Sequence, residues 1–458
     1  MIKYFQFIVV IFIICGCSRF ENQNVILVLV DDLGCRDVGY NSEMYQTPYI
    51  NELASKSLIF NEAYSSASNG LATRASIFTG LYPTRHGVYT TGSSARGYKP
   101  AQSLIPVKNK SKLSYKFNTI SRIAKSAGYK TALIGKWGLN NKPLKCGFDT
   151  NIAGSLLNSP YSHFSPYNLD NIINGPLGEN LTERLTTEAM NFIEKYKNSP
   201  FFVTLSYYDI HTPLQSTPRD IQSIKKTNPL IENAVYAAMI ENLDRNIGRL
   251  TSFLKEEKLL DNTVVIFTSD NGAVAGFSDQ NPYRAGKGSY YDGGVRVPLF
   301  IFKNDITNGE RSNQVVTSVD ILPTIAEFMD VTTVNSDGVS LVPLMYGHKT
   351  EYSQRAVYWH FPIYLEAFNP QEDDARDPLF RTRPGSAIRF EEWKLHEYFE
   401  DNAIELYNLK TDPGERVNLA EQYPGKVQEL YSMLNDWRRS TKAPLPMKRV
   451  NTKILSNN

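Results

Sequence analysis

At four places an apolar run of the chain gives way abruptly to residues that handle charge. Residues 24–30 (NVILVLV) run into Asp31-Asp32-Leu33-Gly34, and residues 263–268 (TVVIFT) run into Ser269-Asp270-Asn271-Gly272. Residues 130–134 lead to Gly135-Lys136-Trp137, and residues 201–207 to Asp209-Ile210-His211-Thr212-Pro213. Asp31, Asp32, Asp270 and Asn271 offer only oxygen ligands, the donor set of a hard cation, calcium or magnesium, rather than zinc. Arg74, Lys136, Lys287 and His211 supply positive charge or hydrogen-bond donors from neighbouring segments. A divalent cation ringed by Arg and Lys is a receptor for a tetrahedral anion, and sulfate and phosphate esters both fit that description. Residues 73–78 read as the first turns of a helix, whose free amides would add to the anion pocket. Taken singly, each of these residues has a plainer explanation: an Asp after a strand is usually a turn or cap residue, and a lone His is often a satisfied structural one. Four such strand ends together argue for one shared site.

The elements that must position this site follow from the same runs. They are branched and apolar throughout, as expected of strands buried on both faces, and helical patterns at 119–127 and 234–254 lie between them. That alternation predicts an α/β fold with a mostly parallel sheet flanked by helices. In such sheets ligands bind outside the carboxyl ends of the strands, where the polar residues fall. After Asp337-Gly338-Val339-Ser340-Leu341 the pattern changes. Residues 356–359, 386–389 and 394–398 are strand-like, and 425–439 place Val427, Leu430, Leu434 and Trp437 on one helical face. The chain therefore divides into a main unit, 24–345, and a smaller C-terminal α+β subdomain, 346–458.

Composition narrows the function classes. In 458 residues, 49 Lys and Arg stand against 47 Asp and Glu. Without a basic excess there is no electrostatic case for nucleic acid, and any anion must be met by a local pocket. A hydrophobic content of 41% excludes a disordered or fibrous protein. Lys3 and the apolar run 5–14 read as an export leader, too short to span a bilayer. The run ends in Ile14-Cys15-Gly16-Cys17, similar to a bacterial lipobox, so 1–17 is assigned as a lipoprotein signal with Cys17 as the lipidated residue. The expected location is the periplasm or outer membrane, with membrane contact only through this anchor. Cys35 and Cys146 then remain, and the sequence leaves open whether they pair.

Together these segments resemble the type I sulfatases of the alkaline phosphatase superfamily. The likeness rests on Val30-Asp31-Asp32-Leu33-Gly34, Arg74-Ala75-Ser76-Ile77-Phe78-Thr79-Gly80, Gly135-Lys136-Trp137, His211-Thr212-Pro213, Ser269-Asp270-Asn271-Gly272 and Lys287-Gly288-Ser289-Tyr290. Glu405-Leu406-Tyr407-Asn408-Leu409 and Asp412-Pro413-Gly414-Glu415 carry it to the C-terminus. The resemblance implies an alkaline-phosphatase-like fold and Ca2+ held by Asp31, Asp32, Asp270 and Asn271. It also implies sulfate contacts from Lys136 and Lys287, a leaving-group acid at His211, and Arg74 holding the catalytic loop. A sulfated carbohydrate is the implied substrate. Tyr358-Trp359-His360, Arg381 and Arg383 are expected to help shape its cleft, by stacking on sugar faces or meeting anionic groups.

Two departures stand against this match. The family carries Cys-x-Pro-x-Arg or Ser-x-Pro-x-Arg, and its Cys or Ser becomes formylglycine, whereas this chain reads Gly70-Leu71-Ala72-Thr73-Arg74. Glycine has no Cβ to oxidise. After Lys136-Trp137, where the family usually has His, stands Gly138. Three readings follow: a sulfatase-like hydrolase that uses water in place of formylglycine, an inactive relic that binds sulfated glycans, or a scaffold recruited to glycoside or phosphoester cleavage.

Overall fold

The structure, a computed structural model, describes residues 23–449 apart from 332–333, 349–351 and 353. The leader and Cys17 lie outside the described residues.

The main sheet is built from β1 (Asn24–Val30), β2 (Ser57–Tyr64), β3 (Lys130–Gly135), β4 (Thr150–Ile152), β5 (Phe201–Ser206), β6 (Thr263–Ser269), β7 (Leu299–Phe302) and β8 (Arg311–Thr317). Their spatial order is β4-β3-β5-β1-β6-β7-β2-β8. All neighbours run parallel except β7, which is antiparallel to both β6 and β2. The expected mostly parallel sheet is present. The sequence reading did not find β2, β7 and β8, which lie towards one edge, nor the three-residue β4 at the other.

Strand β1 shows why the sheet lies in the middle. Ile26, Val28 and Val30 point into one apolar layer, with helices Leu181–Tyr196 and Ala234–Glu256. Val25, Leu27 and Leu29 point into the other, with helices Gly70–Thr79, Ile120–Ser126 and Ile321–Phe328. Period-2 alternation sends successive side chains to opposite faces. A run apolar at every position therefore needs cover on both faces. Burying each such side chain stabilises the fold by roughly 1.5–3 kcal/mol.

Register then sets the site. Leu29 pairs with Ser206, Val30 with Ser269, and Gly135 with Ser206. The central strands β3, β5, β1 and β6 thus end at one level, and the residues after them emerge side by side.

The C-terminal unit is an antiparallel sheet of β9 (Val357–Phe361), β10 (Gly385–Phe390), β11 (Trp393–Tyr398) and β12 (Ile404–Asn408), in that order. Helix Pro424–Thr441 packs on it through Leu430 and Leu434, with Val427 and Trp437 partly buried alongside. Trp359 Nε1 donates to Ser65 O at 2.8 Å, tying this unit to the segment just before helix Gly70–Thr79. A buried charge network binds the two units more firmly. Lys394 Nζ, fully buried, lies 2.7 Å from Asp292 and 3.1 Å from Glu415, and His396 Nε2 lies 3.0 Å from Glu415.

Cys35 and Cys146 are both buried free thiols, which answers the open question of pairing. Among the described residues no helix is long and apolar enough to cross a membrane.

Candidate active site

Asp31 and Asp32 follow β1, Asp270 and Asn271 follow β6, Lys136 follows β3 and His211 lies beyond β5. The structure brings all of them together. Asp32 turns into the site on a positive φ of 64°. Its backbone N–H donates to Asp270 Oδ1 at 3.2 Å, and Asn271 Nδ2 donates to Asp32 Oδ1 at 2.8 Å. Each carboxylate also has its own cation. Lys136 pairs with Asp31 Oδ2, Lys287 Nζ lies 2.7 Å from Asp32 Oδ2, and Arg74 Nε lies 2.7 Å from Asp270 Oδ2. His211 Nε2 lies 3.8 Å from Asp32 Oδ2.

Arg74 is wholly buried and sits in the second turn of helix Gly70–Thr79. That helix starts earlier than the sequence suggested, because Asn69 caps it by accepting from Ala72 N. The Arg74 guanidinium also donates to Lys136 O at 3.1 Å and to Ser206 Oγ at 2.6 Å. Through Nε and Nη1 it therefore clamps three strand ends, while its Nη2 is buried without a hydrogen-bond partner.

Electrostatics here are tense. Burial, opposed by Lys136 and reinforced by Asp270 and Asp32, pushes the Asp31 carboxyl up to about 8. Burial would raise Asp32 as well, but Lys287, His211 and Lys136 outweigh it and hold that carboxyl well below its usual range. Burial and the charge of Lys287 bring His211 down to about 4, against the pull of Asp32. His211 Nδ1 lies 2.9 Å from Thr212 O, a carbonyl that can only accept. The neutral ring therefore carries its proton on Nδ1 and turns the Nε2 lone pair to the carboxylates.

The residues fit a divalent cation. Asp31 Oδ1 and Asn271 Oδ1 are buried and accept no hydrogen bond, a costly arrangement unless something else meets them. Asp31, Asp32 and His211 each place a ligand atom within 4.8 Å of one another. A hard cation would satisfy the orphaned oxygens and relieve the crowding of like charges.

The two departures from the sulfatase pattern both face this centre. A Cβ built on Gly70 would lie 2.3 Å from Asp270 Oδ2 and 3.5 Å from Asn271 Oδ1, so position 70 points straight at the carboxylates. A Cβ on Gly138 would lie 3.6 Å from both Arg74 Cδ and Lys136 Cε. Nearby hydroxyls do not stand in for the lost nucleophile. Thr73 Oγ1 donates to Ala67 O at 3.0 Å, Ser206 Oγ to Lys136 O at 2.7 Å, and Ser68 is engaged by Tyr290.

The expected substrate contacts divide. Arg381 lies beside the site, donating to Lys287 O at 3.2 Å. Arg383 does not serve: its guanidinium is held between Asp377, 2.6 Å away, and Glu400, and its charge is spent there. His360 is also a correction. It is buried in the C-terminal sheet, with Nδ1 2.8 Å from Ser386 Oγ and Nε2 2.8 Å from Pro444 O. Neither nitrogen is left for a ligand. Tyr358 stacks on Trp437 with ring centroids 4.7 Å apart.

Several supporting residues carried no sequence signal. Asp37, fully buried, takes 2.6–2.8 Å hydrogen bonds from Tyr236, Gly34 N and Gln280, and so fixes the turn after Asp32. His163 Nε2 meets His211 O at 3.0 Å. These partners come from distant segments with no shared spacing, so only the fold reveals them.

A mostly parallel sheet between helix layers, with carboxylates, lysines and an arginine at its strand ends, is the arrangement of a hydrolase of the alkaline-phosphatase-like class. A family model described as Sulfatase matches residues 23–331, and one described as N-sulphoglucosamine sulphohydrolase, C-terminal, matches 286–440. The chain belongs to the sulfatase family. It is 28% identical to a sulfatase of Formosa agariphila, over 93% of this chain and 90% of that protein. It is also 28% identical to the N-acetylgalactosamine-6-sulfatase of Mus musculus, over 87% of this chain and 76% of that one. The crystal structure of Ps i-CgsB in complex with k-i-k-neocarrahexaose superposes with a TM-score of 0.74 at 25% identity, covering 95% of this chain and 96% of that one. The phosphonate monoester hydrolase of Agrobacterium radiobacter, at 19% identity and a TM-score of 0.67, shares the fold.

Proposed function

We propose that the protein is a calcium-dependent hydrolase of sulfate esters on sulfated oligosaccharides, with water rather than a residue-70 side chain as the nucleophile. The observation that carries this reading is the convergence of Asp31, Asp32, Asp270 and Asn271 with Lys136, Lys287 and His211, two of its oxygens left without partners. Asp31, Asp32, Asp270 and Asn271 would hold the cation, which when bound draws charge from the ester oxygens. With Asp31 and Asp32 turned to the cation, Lys136 and Lys287 would be freed to meet the sulfate oxygens. The Nε2 lone pair of His211 accepts a proton from the attacking water and returns it to the departing sugar oxygen, so the S–O(sugar) bond breaks as a new S–O bond forms. His211 is thus a base first and an acid second. The carbohydrate substrate is supported by the relatives above, whose names refer to N-acetylgalactosamine 6-sulfate chemistry and to a carrageenan-type oligosaccharide. Export and tethering through Cys17 remain part of this reading, carried by the leader pattern.

Binding without turnover is the second reading, and Gly70 with Gly138 favours it: calcium and lysines remain enough to hold a sulfated sugar. The two separate in one experiment. Binding of a sulfated oligosaccharide by calorimetry and sulfate release by ion chromatography are measured for wild type and for Lys287→Ala and His211→Ala. The hydrolase reading expects Lys287→Ala to weaken both, and His211→Ala to abolish release while binding persists. Binding with no release from wild type leaves the glycan-binding relic.

A further inference from the structure

Most cations around the site are matched by a carboxylate. Lys136 has Asp31, Lys287 has Asp32, Arg74 has Asp270 and Arg383 has Asp377. Arg381 differs. It has no carboxylate within salt-bridge distance among the described residues, and its guanidinium donates only to backbone carbonyls, Glu366 O at 3.0 Å and Lys287 O at 3.2 Å. Taking a guanidinium out of water with no counter-ion is unfavourable, so an unmatched one at the edge of a ligand site is a ready anion receptor. Its backbone anchor is the carbonyl of the same lysine whose ammonium faces Asp32.

Arg96 meets the same Glu366 through its side chain, with its Nε 3.4 Å from Glu366 Oε2. That Nε is buried and makes no hydrogen bond of proper geometry, while Nη2 reaches Thr90 Oγ1 at 3.3 Å. The Arg96 side chain is 30% exposed. Phe368, itself 52% exposed, lies under the Arg381 guanidinium at 5.7 Å and gives an apolar face on which a sugar ring can stack.

We propose that Arg381, with Arg96 beside it, receives a second anionic group of the substrate, a sulfate or a carboxylate on the same or the adjoining sugar. Planar guanidinium groups suit both anions, because they donate two parallel hydrogen bonds. This inference rests on the sulfated-sugar reading above. It selects within that reading for multiply charged chains and against sugars bearing one sulfate.

The test is calorimetric titration of the calcium-loaded protein with matched pairs of sugars. One pair is D-glucosamine 6-sulfate against its 2-N,6-O-disulfate, and the other is a sulfated hexosamine with and without a linked uronic acid. Wild type is expected to prefer the more charged member of at least one pair by about tenfold or more, the size of a charge-assisted contact. Which pair shows the preference tells sulfate from carboxylate. Arg381→Ala should collapse the preference to near one, and Arg381→Lys should keep part of it. Thermal unfolding of each variant checks the fold, and Arg96→Ala, at a partly exposed side chain, should lower the preference in the same direction. No preference in wild type, or an unchanged preference in Arg381→Ala, overturns the inference. Lys287→Ala tests the underlying reading separately: it should weaken both members of a pair equally. If it weakens neither, the sulfated-sugar site fails, whatever Arg381 shows.

Discussion

Lys394 is the best place to weigh how the C-terminal unit supports the site. Its ammonium is fully buried between Asp292 at 2.7 Å and Glu415 at 3.1 Å. Burial would raise the Asp292 carboxyl, but Lys394, Arg296 and Arg389 outweigh it and hold it well below its usual range. Lys394→Met keeps the volume and removes the charge, leaving two buried carboxylates facing each other. Breaking a buried pair from one side costs about 3–5 kcal/mol. The low end applies here, because Arg296 still lies 3.2 Å from Asp292 and His396 still reaches Glu415. For a chain of this size, 3 kcal/mol lowers the melting temperature by roughly 3–5 °C. Asp292 opens the short helix Asp292–Val295, just after the loop that carries Lys287, and its N–H donates to Glu415 Oε2 at 2.6 Å. Loosening it should therefore also weaken sulfated-sugar binding severalfold. The assays are urea unfolding and calorimetric binding, with Lys394→Met/Glu415→Gln as the partner variant, which should recover about half the lost stability by removing one stranded charge. A loss below about 1 kcal/mol would refute the argument, since it would mean that the remaining contacts of Arg296 and His396 are enough to hold the cluster.

Three further outcomes are expected. Calcium should raise the melting temperature and a chelator should lower it, and Asp31→Asn should blunt that response; equal melting with calcium and with chelator contradicts the assigned cation site. His360, buried and brought down to about 4 by burial, refuses a proton that the unfolded chain accepts from its ordinary 6.5 downwards. Stability should therefore fall as pH drops from 6.5 to 4, by about 3 kcal/mol from this residue, and unfolding of His360→Gln should show a flatter profile over that window. Arg383→Ala, which strands Asp377 and Glu400, should lower stability by about 1–3 kcal/mol. It should leave the ratio of affinities for singly and doubly sulfated sugars where it was, unlike Arg381→Ala.

The central strands and the site residues were legible in the sequence for one physical reason. A strand buried on both faces cannot carry polar groups until it ends, so the break from NVILVLV to Asp31 marks both a structural and a chemical boundary. Register did the rest, because Val30 opposite Ser269 and Leu29 opposite Ser206 bring those breaks to one level. The edge strand β8 and its neighbour β2 stayed hidden: Glu62, Ser312 and Gln314 interrupt their apolar pattern where side chains are only partly buried. Side-chain roles were the least legible. Arg381 and Arg383 stand two residues apart with the same chemistry, yet one meets only carbonyls and the other two carboxylates. Spacing in the chain does not encode that difference, which depends on which residues of other loops fold beside each. His360 misled for a related reason, since a histidine between aromatics reads alike whether it lines a cleft or closes a core.

The most direct test of the account is mass analysis of products after the calcium-loaded protein acts on a panel of sulfated oligosaccharides in 18O-labelled water. The account predicts loss of sulfate from sugars whose chain length is unchanged, with 18O in the released sulfate and none at the sugar hydroxyl. An intact panel would contradict hydrolysis and leave a sulfated-glycan-binding protein. Shortened chains still carrying every sulfate, with 18O at their new reducing ends, would contradict it in favour of glycoside cleavage.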